Sequence, residues 1–254
     1  MKHYGLFGGV PATDDPQLLA PLKGYGRGLR KSPIKGASDL WAIGRVDLAG
    51  GVVADMPITW PEIERDTAWA ASMLDELGVR EGDFCFYSFF YGQSAQFWPW
   101  MKATFDRGGR SASGMPTAWD SYRLETYLRL FRLKLVFGIS PENLDGLEAA
   151  GHDIGKVYAT SEILAALPGA WERLAAKGFK PWRVTWLGPI LAVDPCDGTG
   201  GRFDADEWRL EAQEGEILVS SRPGRTARFD RARTGARGEI RTIDGEPRFF
   251  GASA

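Results

Sequence analysis

The run Phe84-Cys85-Phe86-Tyr87-Ser88-Phe89-Phe90-Tyr91, bounded by Asp83 and Gly92, constrains this chain more than any other segment. So short a stretch of aromatic and small residues, with no polar alternation, reads as a β-strand covered on both faces. That is the pattern of a sheet held between helix layers. Upstream, Thr59, Pro61 and Glu62 form a helix start of the capping-box kind. Ile63, Ala70, Met73, Leu74 and Leu77 then recur at helical spacing, and Gly78 ends the helix.

The alternation continues downstream. A helix is predicted at 95–105, stopped by Gly108 and Gly109, then a short strand or loop at 111–115. A helix from Asp120 or Ser121 to 130 follows, then a buried strand at 133–139 and a helix at 142–150. A strand at 156–159 and a helix at 162–177, ended by Gly178, complete the series. Beyond Lys180 the pattern changes to strands at 183–187, 190–193, 208–211 and 216–220. The predicted fold class is α/β, a mostly parallel sheet flanked by helices and followed by a smaller β-rich portion. Three parts are expected: an irregular Gly/Pro-rich arm over 1–56, an α/β core over 57–180 and the β-rich portion over 181–254. The arm is given one short helix near Leu18 and a basic patch of Lys23, Arg27, Arg30, Lys31 and Lys35.

Composition removes several classes of function. A chain of 254 residues, 44% hydrophobic, can bury an ample core in one large domain or in one domain with a small appendage. A net charge of −2 offers no bulk field for nucleic acid or an anionic membrane. No apolar run approaches the roughly 20 residues of a membrane span, and the start lacks the layout of a secretory signal, so a soluble cytoplasmic protein is expected. Cys85 and Cys196 are far apart and read as reduced thiols. With His3 and His152 as the only histidines, neither a metal site nor a Ser-His-Asp site is expected.

The segment from Glu214 to Ala236 contains a strand ending in Ser220-Ser221, the arginines Arg222, Arg225, Arg228 and Arg231, and then Arg233-Thr234-Gly235. Thr59-Trp60-Pro61-Glu62-Ile63, the turn at 78–83, Gly108-Gly109 and the strand at 215–219 precede or enclose it in a fixed order. Over about 45–250 this series resembles the large-domain core of the adenylate-forming ligases, the acyl- and aryl-CoA synthetases, phenylacetate-CoA ligases above all. The resemblance places the family's Ser/Thr/Gly phosphate loop on 46–52, where Gly50 and Gly51 remain, no hydroxyl is present and Val52 takes the lysine slot. It places the family's adenine- and magnesium-binding segment on 184–190, which keeps Trp186 and Gly188 without the carboxylate. The ribose-binding aspartate falls on Ala236, and the family's small mobile domain, with its catalytic lysine, would follow Ala254.

The resemblance therefore implies a degenerate ligase-like protein that binds a small carboxylate, an acyl or aryl group or its CoA thioester, without complete ATP-dependent chemistry. Phe89, Tyr91, Ser94, Trp186 and Gly188 are the implied substrate-binding positions. The aromatic ones suit an aryl pocket, and they suit equally the packing of a buried strand. Gly50, Gly51, Arg231 and Arg233 are the candidate cofactor-binding positions, CoA or a thioester being the cofactor considered. A solvated arginine loop paired with Asp230 and Glu239 is the other reading of the cluster. A repurposed enzyme acting on a CoA-linked or aromatic substrate, and a non-catalytic subunit of an intact ligase, are the alternatives. A homodimer or a partner subunit is expected on the ground that Phe249 and Phe250 would be exposed.

Overall fold

The computed structural model describes residues 40–251. The helix near Leu18, the basic patch from Lys23 to Lys35 and His3 lie outside the described residues. The described chain opens with an antiparallel hairpin, β1 (Leu40–Leu48) and β2 (Val52–Thr59). The expected irregular arm thus holds a regular element. Its Gly50 and Gly51, both at positive φ, let the chain reverse between the strands.

Helix α1 (Trp60–Glu76) starts where the sequence places it. The Glu62 carboxylate accepts from both the backbone N–H and the hydroxyl of Thr59, at 2.7 Å each. After it come β3 (Phe84–Ser88), α2 (Ser94–Asp106), β4 (Arg110–Gly114), α3 (Ser121–Leu130), β5 (Leu135–Ile139) and α4 (Pro141–Ala149). Next are α5 (Ile154–Tyr158), β6 (Ile163–Ala166), α6 (Ala170–Ala176), β7 (Trp182–Leu187) and β8 (Ile190–Asp194). The chain closes with β9 (Trp208–Gln213), β10 (Glu216–Ser221), β11 (Ala232–Ile243) and β12 (Glu246–Gly251).

Six strands form one sheet in the order β4-β3-β5-β6-β7-β8. All neighbours in it are parallel except β7 and β8. Cys85 and Tyr87 of β3 face a core shared with Met73 and Leu74 of α1 and Phe97 and Trp100 of α2. Phe86, between them, faces the opposite layer with Leu124 and Leu128 of α3 and Leu144 of α4. This is why β3 reads as apolar without alternation. A second sheet, in the order β12-β11-β10-β9, is antiparallel. The fold is thus mixed α/β, a mostly parallel sheet between helices with a separate antiparallel sheet. The strands β7 and β8, beyond residue 180, belong to the six-stranded sheet.

Two predicted elements are corrected. Of the residues expected as a strand at 156–159, Lys156 to Tyr158 lie in α5 and Ala159 caps its end, while its start is capped by Asp153 accepting from the N–H of Gly155 at 2.8 Å. The expected helix at 162–177 is split into β6, parallel to β5, and α6. Pro168 disfavours a helical Leu167, and Gly169 takes φ 84°, so one helix cannot run through both. A four-residue apolar run fits either period, and the open edge of β5 decided it. Phe249 is also corrected. It is buried in the core between the hairpin and the antiparallel sheet, while Arg241 covers Phe250 at 4.5 Å from the ring centroid.

Candidate functional site

Three segments separated in sequence meet at one place: the tip of the β1–β2 hairpin, the β7–β8 turn and the middle of β11. A Cβ placed on Gly188 would lie 3.0 Å from Cδ2 of Leu48, 3.6 Å from Cγ1 of Val219 and 3.7 Å from Cγ2 of Thr234. A Cβ on Gly235 would lie 3.7 Å from Cα of Ala49. Both glycines hold positive φ, at 68° and 79°, so close approach and backbone conformation select glycine together.

The β11 part of this junction is a bulge. Against β10, Leu218 pairs with Arg233 but Glu216 pairs with Arg237, so β11 carries extra residues over Thr234 to Ala236. The Thr234 hydroxyl donates to the Ile217 carbonyl at 2.8 Å and accepts from the Ala236 N–H at 3.1 Å. It is thereby bonded on both sides. Asp47, two residues before the tip, is held by Arg45 at 2.7 Å. The junction is thus built from Leu48, Ala49, Gly188, Val219, Thr234 and Gly235.

The candidate substrate-binding residues divide into two groups. Phe89 is buried and stacks on Phe97 at 4.9 Å, and Trp186 of β7 meets the same Phe97 at 5.5 Å. Phe89 and Trp186 are therefore joined through one aromatic cluster. The expected strand ends at Ser88, where β4 also ends at Gly114, so Phe90 and Tyr91 leave the sheet. Tyr91 is 76% exposed, and its carbonyl accepts from the Ser94 hydroxyl at the start of α2. Nearby, Asn143 joins the C-terminal ends of three strands, accepting from Ser88 Oγ at 2.9 Å and donating to the Met115 carbonyl at 3.1 Å. In parallel sheets this edge is the usual one for ligands.

The candidate cofactor residues also separate. Gly50 and Gly51 sit exposed at the hairpin tip, with nothing within 4 Å of an added Cβ. Arg233 and Thr234 are consecutive on β11 and project to opposite faces. Arg233 pairs with Glu216 at 2.7 Å, and Arg231 pairs with Glu211. Both arginines line an open groove with Gln213 and Arg237, away from the Thr234 face.

Sequence reading missed Arg225. Only 1% exposed, it is the most buried cation of the arginine cluster. Its Nη1 donates to Asp66 at 2.5 Å and to Glu207 at 3.0 Å, its Nη2 donates to Asp66 at 3.2 Å, and its Nε lies 3.5 Å from Glu62. Burial works against the ionised Glu62 carboxyl. The Thr226 N–H at 2.6 Å, the bonds from Thr59 and the nearby Arg225 outweigh burial and hold its pKa below the usual range. Burial pushes Asp66 upward, and Arg225 offsets only part of this. The available signal was Glu62 and Asp66 four apart on one helix face. Nothing in the sequence chose Arg225 over its three neighbours.

No protein-family model and no curated protein matches the chain. Solved structures do. An open conformation of 2-hydroxyisobutyryl-CoA ligase in complex with 2-HIB-AMP and CoA is similar at TM-score 0.64 and 14% identity, covering 85% of this chain and 58% of that one. MatB from Rhodopseudomonas palustris with ATP bound is similar at TM-score 0.55 and 14% identity, covering 85% and 49%. MenE from E. coli, with an analogue of OSB-AMS, is similar at TM-score 0.50 and 14% identity, covering 84% and 48%. The chain thus spans about half the length of these structures. What the likeness establishes is a fold shared with acyl-CoA ligases of the adenylate-forming superfamily.

Proposed function

We propose that this protein binds a small carboxylate, an acyl or aryl group, or its CoA thioester, on a ligase-type fold that does not carry out ATP-dependent adenylation. The observation that carries the reading is the convergence of the hairpin tip, the β7–β8 turn and the β11 bulge, with Ala49, Gly50, Gly51, Gly188 and Ala236 as the residues brought there. A triphosphate needs hydroxyls and a fixed cation as well as backbone N–H groups, and its magnesium needs carboxylate oxygens. The residues at this junction do not fit that requirement. Thr234 is already bonded on both sides and Asp47 is held by Arg45.

The ligand side of the reading rests on the aromatic cluster around Phe97 and the exposed turn beside it. Phe89 and Trp186 would form the apolar wall, with Tyr91 and Ser94 at the rim, as in a phenylacetate-CoA-ligase-like site. Titration calorimetry with ATP and magnesium, and thermal-shift measurements with CoA, short hydroxy acids and aromatic acids, test both halves. The expected outcome is no micromolar binding of ATP, with saturable stabilisation by at least one acid or thioester. A micromolar dissociation constant for ATP, or acyl-adenylate formation, overturns the first half. Silence from every acid and thioester overturns the second.

A further inference from the structure

Between α1, α2, the β7–β8 turn and the segment leading into β9 lies a small cavity of about 40 Å³. Trp69, Trp100 and Trp208 supply much of its wall, and Asp66, Gln96 and Asp204 bring polar groups to it. Its lining adjoins the junction through Pro189 of the β7–β8 turn and shares Trp100 with the core around Phe97. A space of this size exceeds the ~10–15 Å³ that one water requires on the same measure.

Its polar groups are unevenly matched. Gln96 is 7% exposed, and its Nε2 donates to the Arg45 carbonyl at 3.3 Å. That bond fixes the amide orientation and leaves Oε1 buried without a partner. Asp204 accepts from the N–H groups of Asp206 and Glu207, both at 3.2 Å, through one of its two oxygens. Arg225 also lines the cavity; both its Nη atoms are taken by Asp66 and Glu207, its Nε, 3.5 Å from Glu62, makes no hydrogen bond, and its guanidinium lies 4.7 Å from the Trp208 ring centroid.

The local charge is unbalanced. Glu62, Asp66, Asp204 and Glu207 place four carboxyls around two cations, Arg65 and Arg225. Burial, together with the charges of Asp66 and Glu207, pushes the Asp204 carboxyl up to about 6. An unpaired amide oxygen, four carboxyls against two cations and aromatic walls suit an occupant that is positively charged and carries N–H donors, the Arg225 Nε facing Glu62 rather than the occupant. A hard divalent ion is poorly served. The described residues hold no cluster of three or more His, Cys, Asp or Glu able to ligate one.

We propose that this cavity is a binding site for a small monovalent nitrogen cation, ammonium or a methylammonium-sized primary amine, received by Gln96 Oε1 and the carboxylates of Asp204 and Asp66 against the tryptophan wall.

The test uses the whole chain, with tryptophan fluorescence and thermal shift as readouts. Ammonium and methylammonium chloride are titrated against sodium chloride and tetramethylammonium chloride at equal ionic strength. The expected result is saturable stabilisation and a fluorescence change with the first two salts, and neither with the controls. Asp204→Asn and, separately, Gln96→Leu should each weaken methylammonium binding about tenfold or more. Lowering the pH from 7 to 5 should weaken it about tenfold, as Asp204 gains its proton beside Asp66 of α1, Glu207 and Arg225. No saturable response beyond the sodium control, or an unchanged affinity in both variants, overturns the proposal and leaves a cavity holding water only. If one variant fails to fold, the other and the pH series still decide.

Discussion

Two regions tie the antiparallel sheet and its flanking loops to the rest of the molecule, and they do so by opposite means. Around Arg225 the contact is ionic, buried and bonded, joining residues 159 apart in the chain. At the hairpin tip, the β7–β8 turn and β11 the contact is made by side chains of Leu48, Val219 and Thr234 packed against Gly188 and by Ala49 against Gly235. The first region is held together by charges that satisfy one another across the joint. The second is held by van der Waals contact where two glycines take positive φ. The comparison teaches that one joint is closed by buried ion pairs and the other by close packing at glycines of positive φ.

The largest effect should come from breaking the ionic joint. Arg225→Ala removes the one fully buried cation among the described residues and strands Asp66, leaving Glu207 only Arg65 and Glu62 only its bonds from Thr59 and Thr226, so stability in urea should fall by about 3–5 kcal/mol near pH 7. Burial already pushes the Asp66 carboxyl upward, and without Arg225 nothing offsets it, so its folded-state pKa would lie above its unfolded one. The destabilisation it adds should therefore be complete above the folded value and shrink as pH falls toward the unfolded value near about 4. A loss under about 1 kcal/mol, or a deficit that grows in acid, would remove the contrast between the two regions.

An intermediate effect is expected at the backbone junction. Gly188→Ala and Gly50→Ala both force a side chain onto positive φ, at 68° and 70°, at a cost of about 1 kcal/mol each. Only at Gly188 does the new Cβ meet neighbours, with Leu48 Cδ2 at 3.0 Å. Gly188→Ala should therefore be the more destabilising of the two by a further ~1 kcal/mol. Equal melting temperatures for the two variants would mean that the junction is loosely packed and that its closeness carries no energy.

The smallest effect should be at Tyr91. At 76% exposure, Tyr91→Ala should change stability by no more than about 0.5 kcal/mol, whereas Phe89→Ala, which breaks the stack on Phe97, should cost about 3–5 kcal/mol. If Tyr91 stands at the rim of the ligand site, its variant keeps its melting temperature and loses ligand-induced stabilisation. A variant that unfolds would place Tyr91 in the core and withdraw it from the site.

Much of the fold was legible because its causes are local. The start of α1 needs only Thr59 and Glu62, three residues apart, and the burial of β3 on both faces is written in its own run of side chains. The site was legible in part. The three segments the resemblance singled out do meet at one junction, yet Arg231 and Arg233 point to another face and pair with Glu211 and Glu216. Bulge and register set that direction, and neither can be read from a list of arginines.

By itself the sequence determined where hydrogen bonds and burial act over three or four residues: helix starts, glycine stops and strands covered on both sides. The tertiary structure alone decided which short apolar run would become a strand, which arginine would be buried and which aromatic would face solvent. Ile163 to Ala166 became β6 because β5 offered an unpaired edge, and Arg225 was selected because Asp66 and Glu207 converge on it. The physical reason is the same in each case. A local bond is settled by neighbours in the chain, whereas an edge or a buried charge is settled by residues distant in it, Leu135 for Ile163 and Asp66 for Arg225.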